Sequence, residues 1–159
     1  NEFDYHLRTP FKFIGSVAFQ LPKLAVFSLD YEMIDYTSAH FSSKVTDLDL
    51  LDKNDIINEV FKTAHNLRAG VELHMGPLYL RGGYALYGSP YKDSDVNADM
   101  NFSVYSGGVG FRSESIFFDL AYAVRHGEYS YYQYLPENQF AATTTENKNQ
   151  IVATLGFRF

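Results

Sequence analysis

The stretch "DSDVNAD" holds the sharpest polar cluster of the chain: Asp93, Asp95, Asn97 and Asp99. Oxygen-bearing residues at every second position resemble the opening of a calcium loop. The sixth position, where such a loop turns on glycine, is Ala98, and the twelfth is Val104, so this is no EF-hand. A weak external calcium site and a solvated external loop are both open readings. Five histidines (His6, His40, His65, His74 and His126) are scattered without metal-ligand spacing. No serine stands in a G-x-S-x-G context, which leaves a lipase-like triad without a nucleophile. The glycine run "SGGVG" lacks the Lys-Ser/Thr that completes a phosphate cradle. These motifs predict neither an enzyme nor a bound cofactor.

Charge of mixed sign is spread along the rest of the chain, at Lys12, Asp30, Glu32, Arg68, Glu72, Arg81, Arg112, Asp119, Arg125 and Arg158. Most of these stand between apolar neighbours. Such a set can cross-link a wall through ion pairs, or line a polar track for a substrate.

The elements that position them alternate with period two. "FKFIGSVAFQL" sets Phe11, Phe13, Gly15, Val17, Phe19 and Leu21 against Lys12, Ile14, Ser16, Ala18 and Gln20. The same pattern runs through 24–33, 66–75, 78–88, 103–112, 116–125 and 151–159, which makes seven segments. This is the signature of an all-β transmembrane antiparallel barrel. A soluble sandwich or lipocalin-like barrel also alternates, but its outer face is rich in Lys, Glu and Thr. Here the polar face mixes Gly, Ser and Ala with isolated charges, as a crowded lumen does. Short turns at "LPK", Gly76-Pro77 and "SES" alternate with long connections over about 37–64, 88–100 and 127–147. That asymmetry predicts periplasmic turns and external loops. Tyr36, Tyr87, Tyr91, Tyr129, Tyr131 and Tyr132 then fall at the outer rim, and Phe19, Leu78, Phe111, Phe118 and Phe157 at the inner one.

Composition agrees. A net charge of −6 offers no basic block for nucleic acid, and the absence of Cys removes disulfides and thiolate metal sites. No apolar run approaches the ~20 residues of a spanning helix. Seven strands are an odd number, so residues 1–159 read as the C-terminal part of a single larger barrel. The remainder is expected to be cleaved, unseen or on another chain. Hairpin geometry with a three-residue "LPK" loop places Gln20 opposite Leu24 and Lys12 opposite Glu32; a Gly-Pro loop places Glu72 opposite Arg81. Residues 53–64, "KNDIINEVFKTA", carry Ile56, Ile57, Val60, Phe61 and Ala64 at helical spacing, capped by Asp52 or Asn54. That helix either packs over the barrel rim or captures a hydrophobic ligand or a partner.

The phrases "LRTPFKFIGSVAF", "LAVFSLDYEMIDY", "AHNLRAGVEL", "GPLYLRGGYALYGSPY", "YSGGVGFR" and "FFDLAYA" resemble the C-terminal half of Bacteroidetes outer-membrane proteins of the FadL/TodX family of hydrophobic-compound transporters. The resemblance covers nearly the whole chain. It implies a barrel of about fourteen strands in the bacterial outer membrane, passing small hydrophobic compounds such as fatty acids. The partners it implies are the lipid bilayer and lipopolysaccharide, the rest of the barrel, and the barrel-assembly machinery. The terminal Phe159 resembles the signal which that machinery recognises. The rival expectation is a scaffold subunit of an outer-membrane secretion or assembly complex, acting through its external loops.

Overall fold

The computed structural model describes residues 4–43, 48–132 and 141–158. Along the chain come β1 (Tyr5–Arg8), β2 (Phe11–Leu21), β3 (Ala25–Asp35), a 3₁₀ turn (Tyr36–Ser38), β4 (His40–Ser43), α1 (Leu48–Val60), β5 (Thr63–Met75), β6 (Leu78–Tyr87), β7 (Phe102–Arg112), β8 (Ile116–Tyr132) and β9 (Ala141–Phe157). The chain is thus mostly strand. Seven strands form one antiparallel sheet in the order β2-β3-β5-β6-β7-β8-β9, and β1 pairs with β4 in a separate two-stranded sheet. With β2 and β9 at its edges, the large sheet is open among the described residues. Successive neighbours all run antiparallel, so the two edges run in the same direction.

Tight turns join the strands at one end of the sheet. Gly76, with φ at 62°, and Pro77 form the two-residue loop between β5 and β6. A positive φ followed by the fixed φ of proline fits a type II′ turn, whose twist matches the strands. Between β2 and β3, Pro22 takes the second turn position and Lys23 the third, with Lys23 at φ 62° and Leu24 N–H donating to Leu21 O at 3.1 Å. Proline belongs at that second position. The turn therefore begins one residue later than the "LPK" loop expected from the sequence. Leu21 faces Ala25, Gln20 faces Val26, and Lys12 faces Ile34 rather than Glu32. The shift is by two residues, so every side chain keeps its face. Lys12 still meets Glu32, diagonally, at 3.5 Å.

The other end carries the long connections, and their boundaries differ from those read in the sequence. The 37–64 connection contains the 3₁₀ turn, β4, α1 and the start of β5. The helix covers Leu48–Val60, earlier than 53–64, because Thr63 already enters β5. The expected loop over 127–147 is largely strand: Tyr132 pairs with Ala141, and β8 and β9 reach 17 residues each. Phe159 and residues 133–140 lie outside the described residues.

The sheet's two faces differ sharply. The apolar one is uncovered: Val17 is 64% exposed, Phe19 62%, Ile151 73% and Leu155 62%. The buried apolar residues among those described are Ala25, Ile57, Ala64 and Ala85. Tyr31, Tyr84, Tyr105 and Tyr122 cross the apolar face as a staggered belt, with the Tyr84 and Tyr105 rings 5.1 Å apart. Hydrogen bonds fix both ends of the belt, Tyr31 to His65 at 2.7 Å and Tyr122 to Asn149 at 2.8 Å. Phe19, Phe27, Phe111, Phe118 and Phe157 gather towards the tight-turn end. The tyrosines expected at the outer rim lie at the long-connection end. Tyr36 and Tyr87 line a pocket, Tyr91 packs on Phe61, and Tyr129 and Tyr131 stand on the extended part of β8. The side chain of Tyr132 is outside the described set.

Asn54 fastens the helix to the small sheet. Its side chain accepts from Phe41 N–H at 2.8 Å and donates to Phe41 O at 2.9 Å, in a buried position. Asn54→Ala is expected to leave both backbone groups unpaired and cost about 1–3 kcal/mol locally. Amide exchange at Phe41 should accelerate while exchange in β5 to β8 stays unchanged.

Candidate functional site

The polar face gathers the charged residues singled out in the sequence. Near the tight turns, Glu72 on β5 and Arg81 on β6 stand directly opposite and form an ion pair, as their hairpin predicts. Arg81 then reaches over β7 to Asp119 on β8, with Nη1 2.6 Å from Oδ1. Arg112 closes the set from β7, its Nη2 2.8 Å from Asp119 Oδ2. His74 joins at the other end, with Nε2 2.7 Å from Glu72 Oε1.

What lets Arg81 cross β7 is glycine. Arg81 faces Gly108 and Asp119 faces Gly110. A Cβ on Gly110 would lie 2.6 Å from Asp119 Oδ1 and 3.3 Å from Tyr79 Cβ. One on Gly108 would lie 3.1 Å from Leu120 O. The space beside these two glycines of the polar face is therefore filled, at Gly110 by the ion pairs and at Gly108 by the neighbouring strand. The Arg112 guanidinium also lies 5.3 Å from the Tyr79 ring centroid and 5.2 Å from that of Phe117. Cation–π contact of this kind fixes the fork without using its donors.

Nearer the long connections, Arg68 bridges Asp30 at 3.8 Å and Glu32 at 3.7 Å. Glu32 is buried and accepts a 2.7 Å hydrogen bond from Asn66. Between these two charged bands lies a strip of small residues, Ser28, Gly70, Gly83, Ser106 and Ala123, one from each of five adjacent strands. Arg158 follows β9, and its side chain makes no ion pair among the described residues.

At the long-connection end the polar face opens into a pocket of about 350 Å3. Tyr36, Tyr87, Met100 and Phe102 line it, with Asn66 and Arg125 as polar members. The Phe102 ring lies over Gly127 on the next strand, and the Arg125 guanidinium stacks 3.9 Å from the Phe102 centroid. The alternation of the sequence places Arg125 on this face but does not single out Phe102, Asn66 or Lys148. Lys148 falls between the connection read over about 127–147 and the strand read over 151–159; its pairing with Arg125 appears only once β9 is extended.

The acidic cluster is used locally. Asp93 meets Lys62 at 2.7 Å, and that ammonium holds the Asp93 carboxyl below its usual range. Asp95 accepts from Asn97 N–H at 2.8 Å. The Asn97 side chain is engaged with Ser130, accepting from its N–H at 2.7 Å and donating to its carbonyl at 2.9 Å. Among the described residues, no three His, Asp or Glu side chains gather at a metal-binding distance. The loop helix packs through Asn54 and Ile57 and leaves Ile56 exposed. Ile57 is buried, and Phe61 stacks between Tyr36 and Tyr91.

No family model, curated protein or solved structure matches this chain. The fold and site define an all-β chain whose antiparallel sheet leaves one face apolar and uncovered and cross-links the other through ion pairs.

Gly110→Ala is expected to push Asp119 out of its ion pairs and destabilise the fold by about 1–3 kcal/mol. The same change in an Asp119→Ala background should cost clearly less, so a double-mutant cycle in urea would reveal coupling between the two positions.

Proposed function

We propose that this chain forms part of an outer-membrane β-barrel that passes small hydrophobic compounds, fatty acids among them. One observation carries the membrane half of the reading: the apolar face is exposed while the polar face is ion-paired. A sheet in water puts its apolar face against a core. Here the solvent that suits the uncovered face is lipid, and the belt of Tyr31, Tyr84, Tyr105 and Tyr122 suits a headgroup interface. The transport half rests on the likeness of the strand phrases to the FadL/TodX family.

Strand count bears on closure. Open edges in hydrocarbon leave backbone groups unsatisfied at several kcal/mol each. Because β2 and β9 run in the same direction, an antiparallel seam at both needs an odd number of further strands. Seven more would give the fourteen that the resemblance implies. A second copy of the described sheet in the same orientation across the bilayer would instead meet it through two parallel seams.

On this reading the small-residue strip supplies the path, and the charged bands above and below it neutralise themselves in pairs. Lipid, lipopolysaccharide and the assembly machinery would be its partners in the membrane. The scaffold alternative acts through the external loops, where Ile57 and Phe61 are packed while Ile56 is exposed.

Two experiments test the reading. Leu155→Arg should destabilise the bilayer-inserted protein by roughly 2–4 kcal/mol, whereas Thr154→Arg, on the opposite face, should be tolerated. Equal effects in a liposome unfolding titration would overturn the facing. Ser106→Phe with Ala121→Phe should slow uptake of a hydrophobic probe by cells at an unchanged level of folded protein. Unaltered uptake would remove the path from this face.

A further inference from the structure

The pocket at the long-connection end departs from the rule that governs the rest of the polar face. Among the strand cations there, Lys12, Arg68, Arg81 and Arg112 each have a carboxylate within 4.0 Å. Arg125 has none among the described residues. Directly opposite it on β9 stands Lys148, a like charge, which destabilises a strand pair. Glu146 shares the face one pair further out, opposite Gly127, yet forms no ion pair with either cation. An uncompensated positive pair in an otherwise balanced wall is a local cost, and such costs concentrate at functional sites.

Geometry turns that excess charge into a ligand site. Arg125 stacks on Phe102 at 3.9 Å, which orients the guanidinium plane and leaves its edge donors to grip a carboxylate in the bidentate manner. Asn66, the other polar member of the lining, is already committed to Glu32 and to Gly88 N–H. Arg125 is the charged residue of the lining. The remaining walls present the rings of Tyr36, Tyr87 and Phe102 and the side chain of Met100. A volume of about 350 Å3 suits a compact body, near the lower end of small-ligand pockets. Flat rings stack on such walls more favourably than a flexible chain, which loses rotamer freedom on entering.

We infer that this pocket binds a small amphipathic anion, a fused-ring aromatic body bearing one carboxylate, with Arg125 as the residue that selects the charge and Lys148 adding to the field. The inference deepens the transport reading and rests on it for the ligand's purpose, although the binding itself is measurable without transport.

The test is calorimetric titration of the full-length protein in nanodiscs with 2-naphthoate, with 2-naphthalenemethanol as the same body uncharged, and with decanoate as the flexible anion. The carboxylate should bind about tenfold tighter than the alcohol, and tighter than decanoate. Arg125→Gln should erase the preference for the acid while leaving the alcohol's affinity within about twofold, and Lys148→Gln should weaken the acid by about threefold. Arg125→Lys should keep part of the preference, since charge remains and the planar fork is lost. Circular dichroism of each variant reports its folding. Equal binding of acid and alcohol, no binding of either, or an Arg125→Gln protein that holds 2-naphthoate as the wild type does would overturn the site. Decanoate binding as tight as 2-naphthoate would overturn the aromatic assignment. If Leu155→Arg and the lumen-filling variants behave as proposed while 2-naphthoate fails to bind, the site falls and the transport reading stands.

Discussion

Each interior strand of the seven-stranded sheet pairs its backbone with two neighbours over most of its length, and the rest of the fold depends on that ladder because no packed core stands behind it. The buried apolar side chains among the described residues are three alanines and one isoleucine. Apolar burial, the largest favourable contribution in most domains, is therefore small within this chain. What remains is backbone pairing from Phe11 to Phe157 and the side-chain contacts that cross the ladder. In the proposed bilayer those backbone bonds have no water competing for their partners, and breaking them is correspondingly costly.

Without a core, the polar face rigidifies the sheet by bracing strands against one another. Arg81 ties three strands together, on β5, β6 and β8, while lying across β7. Glycine and aromatic residues form a second kind of brace. Phe102 covers Gly127 and Phe117 covers Gly156, so each ring lies flat where a side chain is missing on the neighbouring strand. Such coverage restores the contact that glycine removes and pins the register between the two strands. Arg112, held between Tyr79 and Phe117, links the aromatic braces to the ionic ones.

At the long-connection end, asparagine does the fastening. Asn54 engages the backbone of Phe41 through both amide groups, and Asn97 does the same at Ser130. Each side chain mimics one rung of a β-ladder, so a loop or helix gains a sheet-like attachment without a strand of its own. Asn66 links Glu32 to the Gly88 backbone and so closes the base of the outer pocket. The acidic residues that resemble a calcium loop serve this fastening: Asp95 shapes the turn that presents Asn97.

Facing was legible in the sequence. Period-two alternation is a local property, and it assigned Lys12, Asp30, Arg68, Arg81, Asp119 and Arg125 to one side without knowledge of any neighbour. The Gly76-Pro77 turn was equally local, and with it the pairing of Glu72 and Arg81. The extended parts of β8 and β9 were not legible, because "GEYSYY" and "TTTENKNQ" are polar or mixed on both faces and become strands only by pairing with each other. Nor was the reach of Arg81 to Asp119, which requires two glycines on an intervening strand. The offset of Lys12 from Glu32 depended on Pro22 taking the second place in its turn, and the opposition of Arg125 and Lys148 on the full length of the last hairpin. A sequence fixes which way a side chain points along its own strand; only the assembled sheet decides which residue it meets, because that depends on register between segments that are distant in the chain.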